Sequence, residues 1–445
     1  MITRIKEYIS DNKLLDKEKL HLVALSGGAD SVFLLLTLKE LGYKVHAMHC
    51  NFHLRGEESN RDEAFCIRLC EEQGIELHLT HFDTKTFAEV HKMSIEMAAR
   101  ELRYQYFEEV RLALGADTIV VAHHRDDNIE TFLMNILRGT GIHGLEAIKP
   151  RNGRIMRPLL CVSRREIEDC LTMRRQEYVT DSTNLVDDVL RNKIRLNLLP
   201  MLEELNPTVR SNITKTIEHV AESVKIVDDA IVRGMASCMQ PTQNGCVISL
   251  ARLLEEPSPE TILFHIMTDY GFSSAQAEQV FRNINAPSGR IWQSPSHIIA
   301  TDRDTLIIDI KDDDDADKRL TIPEEGTYIY NVRVKVRLTT AERTSTMQPS
   351  RQPNIATLDA DKVTFPVTIR HTTEGDAFKP FGMKGRKLVS DYLTDRKRNY
   401  FQRRRQLLME DANGTVIWLI GERTAQQAAI TTATRRILTI SVENE

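Results

Sequence analysis

The sequence predicts an α/β protein, in which a parallel, Rossmann-like sheet flanked by helices is followed by a helical domain and a small α+β C-terminal domain. Apolar strand-like runs alternate with helix-like runs over residues 1–150. Three of the predicted helices stop at Gly42, Gly74 and Gly115, and glycine is the residue that most often follows a helix. Short alternating runs that are typical of strands return after Ser288.

The first three predicted strands of residues 1–150 are each followed by a predicted helix, an order typical of parallel strands. The predicted strands are 22–25, 43–50, 75–80 and 118–122, and the predicted helices are 32–41, 59–73 and 94–114. Sheets of this kind bind ligands outside the carboxyl ends of their strands. The segments 26–31, 49–56 and 123–127 fall at that edge, so they are the first candidates for a site.

The rest of the chain changes character twice. Residues 195–285 are predicted to be mainly helical, and strands are predicted at 298–300, 306–310, 332–338 and 367–370. The acidic run 312–317 is interpreted as a solvated turn, and 341–353 as a flexible connector. We therefore expect three domains, over residues 1–205, 206–350 and 351–445, which suits a length of 445 residues.

The composition is that of a soluble globular chain, with 41% hydrophobic and 28% charged residues. No apolar run approaches the roughly 20 residues of a membrane span. Residues 1–20 are charged throughout and predict an amphipathic surface helix instead of a secretory leader. We expect a soluble, cytoplasmic protein without a membrane partner.

The seven cysteines include no C-x-x-C pair, and their odd number does not indicate a disulfide framework. Cys66 and Cys70 lie four apart on a predicted helix. A metal site is one interpretation of that pair, and two small apolar residues on one helix face is the interpretation we favour.

Positive charge is concentrated in two stretches, although the formal net charge is −5. Residues 379–405 carry ten Lys or Arg against two acids, and residues 151–175 carry seven Arg. Such stripes can neutralise phosphates even in an acidic protein. The aromatic residues among the first set suit stacking on RNA, or equally the core of a small domain.

The segment "SGGADS" lies between a predicted strand and a predicted helix. Gly27 and Gly28 allow a close backbone approach, the helix start supplies unpaired N–H groups, and Ser26 and Ser31 add hydroxyls. These features predict a pyrophosphate site. Asp30 would repel phosphate unless a divalent cation bridges the two, and capping of the helix is its alternative role.

This segment resembles the SGGxDS loop of the N-type ATP pyrophosphatases, the PP-loop superfamily, which cleave ATP between the α and β phosphates. The matching residues are Ser26, Gly27, Gly28, Ala29, Asp30 and Ser31. The resemblance implies that all six bind ATP, with Asp30 on the side of a Mg²⁺ ion.

Further motifs narrow the resemblance to the tRNA(Ile)-lysidine synthetase family, and they follow the family's order along nearly the whole chain. They are "HCNFHLRGEESNRD" (49–62), "EMAARELRY" (96–104), "HHRDDNIET" with "RGTGIHGL" (123–145), "RPLL" (157–160), "DSTNLVDDVLRNKIR" (181–195) and "GDAFKPFGMKGRKLVSDYLTDRK" (375–397). Two positions depart from the family pattern. Asn128 replaces the common Gln, and Ala428 with Ala429 replaces an Arg/Phe-type pair, which puts any role of that pair in doubt.

The resemblance implies a reaction in which ATP adenylates O2 of the wobble cytidine of a tRNA(Ile) with a CAU anticodon. The ε-amine of L-lysine then attacks C2 and expels AMP. Lysine must lose a proton for this attack, because its free pKa is about 10.4. A nearby carboxylate can hold the ammonium and later accept the proton.

Candidate residues for this chemistry follow from the motifs. Glu130 is the first choice for a catalytic carboxylate, and Asp127 is the second; Asp126, which shares a helical face with Glu130, is a substrate-binding candidate. His123 and His124 could bind base or phosphate, or cap a strand. Among the cationic candidates, Arg100 is assigned to the ATP phosphates or the adenylated intermediate. Arg103 could bind substrate or form a structural pair with Glu96 or Glu101. The candidates for contacts with tRNA are Arg191, Lys193, Arg195, Lys384 and Lys387.

Three other functions compete with this interpretation. A tRNA thiolase of the same superfamily would usually carry paired C-x-x-C cysteines, which this sequence lacks. An amidotransferase-type synthetase is opposed by the basic C-terminal stretch. An RNA-binding protein without turnover is opposed by the joint presence of Asp30, Asp127 and Glu130. The oligomeric state stays open, with a homodimer as one option.

Overall fold

The computed structural model of the chain describes residues 1–180, 190–311, 318–330, 334–344 and 347–444. It divides into two compact units, Met1–Asp228 and Asp229–Glu445, which are described separately. The predicted acidic turn 312–317, part of the predicted strand 332–338 and part of the "DSTNLVDDVLRNKIR" motif lie outside the described residues. None of the described helices has the length and apolar content needed to cross a membrane.

The first unit is built on a six-stranded sheet in the order β3-β2-β1-β4-β6-β5. All neighbouring strands are parallel except β5 and β6. The strands are β1 (Leu20–Ala24), β2 (Lys44–Asn51), β3 (Leu77–His81), β4 (Thr118–Val120), β5 (Arg151–Asn152) and β6 (Ile155–Met156). The predicted parallel sheet is thereby confirmed.

Helices cover both faces of this sheet, and one apolar core joins β1 to α2 and α3. The helices that begin in the first unit are α1 (Ile2–Asp11), α2 (Ala29–Glu40), α3 (Glu57–Gln73), α4 (Thr84–Val90), α5 (Ile95–Leu114), α6 (Arg125–Leu137), α7 (Ile142–Leu145), α8 (Arg164–Met173), α9 (Leu190–Lys193), α10 (Leu199–Leu205) and α11 (Val209–Cys238), of which α11 ends in the second unit. Gly74 and Gly115 cap α3 and α5 in the left-handed conformation, as the sequence predicts. The N-terminal helix is shorter than predicted and ends at Asp11.

The second unit begins with a five-stranded antiparallel sheet in the order β7-β8-β11-β10-β9, with three helices. Its elements are β7 (Met239–Pro241), β8 (Gly245–Ser249), α12 (Leu250–Glu255), α13 (Pro259–Asp269), α14 (Ser274–Arg282), β9 (Ile291–Gln293), β10 (His297–Asp302) and β11 (Thr305–Ile310). Strands β7 and β8 interrupt the stretch predicted as helical. They form because Cys246 and Ile248 are fully buried against β11, a pairing that local propensity does not reveal.

The rest of the second unit contains three more sheets, in the orders β12-β16-β19-β20-β21, β13-β14-β22-β15 and β17-β18. Its elements are β12 (Arg319–Ile322), β13 (Gly326–Tyr330), β14 (Val334–Glu342), β15 (Ile355–Asp359), β16 (Val367–His371), β17 (Ala377–Phe378), β18 (Lys387–Leu388), α15 (Val389–Asp395), α16 (Tyr400–Arg404), β19 (Leu407–Glu410), β20 (Val416–Leu419), β21 (Arg423–Thr424) and β22 (Arg436–Asn444). The predicted domain boundary after residue 350 therefore falls between strands that share two sheets.

Candidate active site

The turn between β1 and α2 has the geometry of an anion site. Gly27 has φ of +85°, and a Cβ there would lie 3.4 Å from both Cys66 Sγ and Val179 Cγ2. Gly28 is the N-cap of α2 and forms no side-chain capping bond. The first amides of this 12-residue helix are therefore available to an anion, at the positive end of its dipole.

Two hydroxyls hold the turn in shape. Ser31 Oγ accepts the backbone N–H of Ser26 at 3.1 Å and donates to the carbonyl of Gly28 at 3.0 Å. Ser26 Oγ lies 3.0 Å from Ser31 Oγ. Ser31 is thus committed to the turn, whereas Ser26 lines the adjoining cavity with a hydroxyl that can turn outward.

A cavity of about 670 Å³ opens beside this turn at the carboxyl ends of β1, β2 and β4. Its volume is in the range of ordinary small-molecule sites. Candidate residues from four separate segments line it: Ser26, Asp30, Ser31, His49, Arg100, Arg103, His123 and Asp127. The structure therefore brings together the three segments that the sequence places at this edge of the sheet, and adds α5.

The two carboxylate oxygens of Asp30, on the first turn of α2, have different surroundings. Its Oδ2 pairs with Arg164 and lies 3.8 Å from His124 Nε2. Its Oδ1 is buried and has no hydrogen-bond partner among the described residues. Burial raises the pKa of this carboxyl, and the neighbouring His124 and Arg164 reduce the rise only in part.

Asp127 and His124 form a capping box at the start of α6. The Asp127 carboxylate accepts the N–H of His124 at 3.0 Å, and His124 Nδ1 accepts the N–H of Asp127 at 3.4 Å. Burial acts to raise the pKa of Asp127, but the nearby His124, the hydrogen bond from its backbone N–H and Arg191 outweigh burial, so the pKa lies below the usual value. Asp127 therefore presents an ionised carboxylate to the cavity, and His124 has the role of a cap.

His123 presents a neutral imidazole to the same cavity. Its Nδ1 accepts a hydrogen bond of 3.3 Å from Arg157 Nε. Burial lowers the pKa of His123 to about 4, with Arg157, Arg191 and Arg100 acting in the same direction. At neutral pH the ring proton is consequently on Nε2.

Glu130 lies behind the cavity wall and is only 1% exposed. Arg195 donates to both of its oxygens, at 2.7 and 3.0 Å, and Arg191 Nε lies 3.2 Å away. Arg195 also lies 3.8 Å from Asp127. The structure thus pairs both predicted tRNA-contacting arginines with the predicted catalytic carboxylates, and Glu130 does not line the cavity.

Asp126 also points away from the cavity. Its oxygens accept the backbone N–H of Arg164 and the guanidinium of Arg210, each at 2.8 Å. This carboxylate joins α6 to the starts of α8 and α11. Asp126 and Glu130 share one helix, as predicted, but bind different partners.

Two arginines of α5 line the cavity without an ion pair to a described carboxylate. Arg100 is exposed and stacks over Tyr104 at 5.1 Å, and Arg103 stacks over Phe52 at 5.2 Å. The structural pair of Arg103 with Glu96 or Glu101, left open by the sequence, does not occur. Both guanidinium groups are positioned to meet an anionic or aromatic ligand.

The basic stretch 379–405 of the second unit is divided between core and surface. Phe378 and Phe401 are buried, whereas Phe381 is 45% exposed. Lys384 is exposed, and Lys387 pairs with Asp395. The aromatic residues of this stretch are thus partly the core of the unit.

Sequence reasoning missed several partners in the first unit. Arg157 and Arg164 belong to the arginine-rich stretch 151–175. Their spacing in the sequence does not indicate that Arg157 donates to His123 or that Arg164 pairs with Asp30. His49 Nδ1 donates to the carbonyl of Leu25 at 2.8 Å, which leaves the Nε2 lone pair available at the cavity. Asn128 accepts the N–H of Ile148 at 2.6 Å, so the shorter amide fixes the loop after α7.

Two alternatives left open by the sequence are now clear. Cys66 and Cys70 are buried in the apolar core, and burial raises the pKa of Cys70 to about 11. They are the small apolar residues that we favoured. Ala428 and Ala429 are also buried, so this departure from the family pattern lies in the core of the second unit.

Comparisons with known proteins show what this chain is similar to. A family described as a PP-loop domain matches residues 1–202, and a family described as a TilS substrate binding domain matches residues 241–311. A protein of Parabacteroides distasonis named tRNA(Ile)-lysidine synthase is 42% identical over 99% of both chains. One of the same name from Bacteroides thetaiotaomicron is 42% identical over 98% of both. Among solved structures, the U34-tRNA thiolase NcsA from Methanococcus maripaludis is 19% identical with a TM-score of 0.42, and the match covers 50% of this chain and 78% of that one.

Proposed function

This chain belongs to the tRNA(Ile)-lysidine synthase family, and we propose that it is the ligase that joins L-lysine to C2 of the wobble cytidine in the CAU anticodon of tRNA(Ile). In the proposed reaction ATP adenylates O2 of the base and pyrophosphate leaves. The ε-amine of lysine then attacks C2 and expels AMP. The product changes the codon specificity of the tRNA from AUG to AUA.

The observation that carries this proposal is the shared cavity of about 670 Å³, which joins the Ser26–Ser31 turn to an ionised Asp127, a neutral His123 and Arg100, which has no ion-pair partner among the described residues. A phosphate-binding turn alone would suit many nucleotide-binding proteins. An anionic and a cationic group within the same cavity also suit a second, amine-bearing substrate.

In the adenylation step, the free amides at the start of α2 and the Ser26 hydroxyl bind the departing pyrophosphate. Arg100 stabilises the negative charge that develops on the phosphates. Mg²⁺ fits the residues present, because Asp30 Oδ1 is a buried oxygen without a hydrogen-bond partner among the described residues. When bound, the ion would neutralise charge on the phosphates.

In the lysine step, we assign the ammonium to Asp127, because this carboxylate lines the cavity and its pKa is lowered. The ammonium gives one proton to the Asp127 carboxylate, and the resulting amine attacks C2. The C2–O2 bond then breaks, so that AMP leaves with O2. Glu130, the first choice from the sequence, acts in this proposal as a positioning residue that holds Arg195 and Arg191 beside Asp127. Asp126 has a similar positioning role for α8 and α11.

For the chain as a whole, we propose that residues 1–205 carry catalysis, 206–350 substrate binding and 351–445 tRNA binding, in a cytoplasmic protein. The last two are functional segments of shared sheets, because β12, β13 and β14 pair into the sheets that residues 351–445 complete. Exposed cations such as Lys384 would contact tRNA phosphates in the last of these. These contacts would select the tRNA, since the CAU anticodon also occurs in a methionine tRNA.

The test is AMP release from ATP by the purified full chain with unmodified CAU-anticodon tRNA(Ile), with and without L-lysine. Mass analysis of the anticodon nucleoside accompanies it. We expect lysine-dependent AMP and a cytidine heavier by one lysine. Asp127→Asn should abolish both, and Asp169→Asn, an exposed carboxylate on α8, is the matched control.

The other outcomes separate the rival functions. Adenylation of the tRNA without a lysine product would favour the thiolase. Absence of ATP cleavage would favour an RNA-binding protein without turnover.

A further inference from the structure

Two histidines and a glutamate meet on the first unit, away from the candidate active site. His46 lies near the start of β2, and His78 lies on β3, diagonally across the strand pair. Glu76 directly precedes β3, and its carbonyl accepts the N–H of Ala47 at 2.8 Å, which fixes its backbone against β2. The active-site cavity is lined by the other end of β2, from Met48 onward.

The distances within this cluster suit a bound metal ion. Glu76 Oε2 lies 3.5 Å from His46 Nε2, and Glu76 Oε1 lies 3.6 Å from His78 Nε2. The ring nitrogens His46 Nδ1 and His78 Nε2 are 3.2 Å apart. In a tetrahedral zinc site with bonds of about 2.0–2.1 Å, neighbouring ligand atoms lie about 3.4 Å apart. These distances involve both nitrogens of His46 and both oxygens of Glu76. With one ligand atom taken from each residue, all three atoms lie within 4.8 Å of one another, so small side-chain rotations would bring them to the required separation.

The surroundings also suit a metal ion. The imidazoles of His46 and His78 are 25% and 20% exposed, and Glu76 is 60% exposed. The nitrogen ligands are thus held between packed strands while the carboxylate side remains open to water.

We propose that His46, Glu76 and His78 bind a divalent cation of the zinc class, with water as the fourth ligand. Imidazole and carboxylate ligands in this geometry are typical of Zn²⁺. Because β3 is the edge strand of the sheet, the ion would fasten this edge to β2. The site lies outside the cavity, so its role is structural.

A neighbouring pair of histidines provides the control. His81, on the same strand β3, stacks on His53 with ring centroids 5.0 Å apart, and its Nδ1 lies 3.7 Å from Glu63. A protein that binds zinc through scattered surface histidines would use this pair as readily. His81→Gln is therefore the matched variant for His46→Gln and His78→Gln.

The experiment is a titration of the metal-stripped full chain with ZnCl₂ in the absence of ATP, followed by calorimetry and by the zinc content after gel filtration. We expect one zinc ion per chain in the wild type and in His81→Gln, and none in His46→Gln or His78→Gln. Zinc should also raise the melting temperature of the first two proteins only, since the ion binds the folded sheet.

Three results would overturn the proposal: no zinc in the wild type, zinc retained by His46→Gln and His78→Gln, or zinc lost from His81→Gln. Circular dichroism of the metal-free variants checks that each is folded. If His78→Gln does not fold, then His46→Gln and Glu76→Gln provide the same comparison.

Discussion

His123 should titrate far below an ordinary histidine, and the substitution His123→Gln tests this. Burial lowers its pKa from 6.5 to about 4. This lowering of the pKa means that the folded chain favours the neutral over the protonated ring by about 3 kcal/mol more than water does. Because the cavity is open to water, solvent screening reduces this preference to about 1–3 kcal/mol.

The sign follows from the protons bound by each state. Between pH 6.5 and about 4 the unfolded chain has a protonated His123, whereas the folded chain does not. Stability is therefore fully present above pH 6.5 and is lost as the pH falls toward 4. His123→Gln removes this loss, so its stability should fall less than that of the wild type between pH 7.5 and pH 5.

The assay is an NMR titration of the full chain with labelled histidine, in which the signal missing from His123→Gln identifies the residue. His91→Gln, an exposed histidine, is the control. Melting temperatures at the two pH values give the second readout, at roughly 2–4 °C per kcal/mol. A His123 titration midpoint near 6.5, or equal losses of stability in wild type and variant, would refute the reasoning.

Three further predictions concern the same unit. Gly27→Ala should abolish pyrophosphate release. The control is Gly42→Ala, which should carry a similar backbone cost of about 1–2 kcal/mol and stay active, because Gly42 has φ of +78° and its added Cβ would have Lys17 Nζ as a neighbour at 4.0 Å. Equal kinetic losses in the two variants would contradict the role of the turn. Arg100→Met should lower kcat/KM for ATP about a hundredfold at unchanged melting temperature. Arg111→Met, on the same helix but at a residue paired with Glu108, should leave kcat/KM unchanged. If the two variants had similar kinetics, Arg100 would not belong to the site. Arg195→Met should lower the melting temperature, because Glu130 then keeps Arg191 as its one ion-pair partner within the described part of the chain. The loss should stay below the about 3–5 kcal/mol of a fully buried pair, because Arg195 is 34% exposed. Adding Glu130→Gln should restore part of that loss, and a purely additive double variant would exclude the coupling.

The sequence predicts the parallel sheet and the position of the cavity because both depend on local patterns. Glycine stops, apolar runs and the strand–turn–helix order are visible within short windows. The carboxyl ends of parallel strands then meet at one edge, so the segments around Ser26, His49 and His123 converge without any knowledge of packing.

The partners of the site residues could not be predicted in the same way. Arg164 is 134 residues from Asp30, and Arg210 is 84 residues from Asp126. Such pairs depend on how helices dock, and helix spacing alone gave Asp126 and Glu130 a shared face. Strands β7 and β8 were not predicted for a related reason: they join a sheet with β11, which lies far along the chain.

The sheet β13-β14-β22-β15 has a consequence for the order in which the chain can fold. Strands β14 and β15 both pair with β22, which lies between them in the sheet. During synthesis these two strands leave the ribosome first and must wait for residues 436–444 before the sheet can close. The first unit needs no such delay, so we expect the nascent chain to acquire its nucleotide-binding half while the other half is still incomplete.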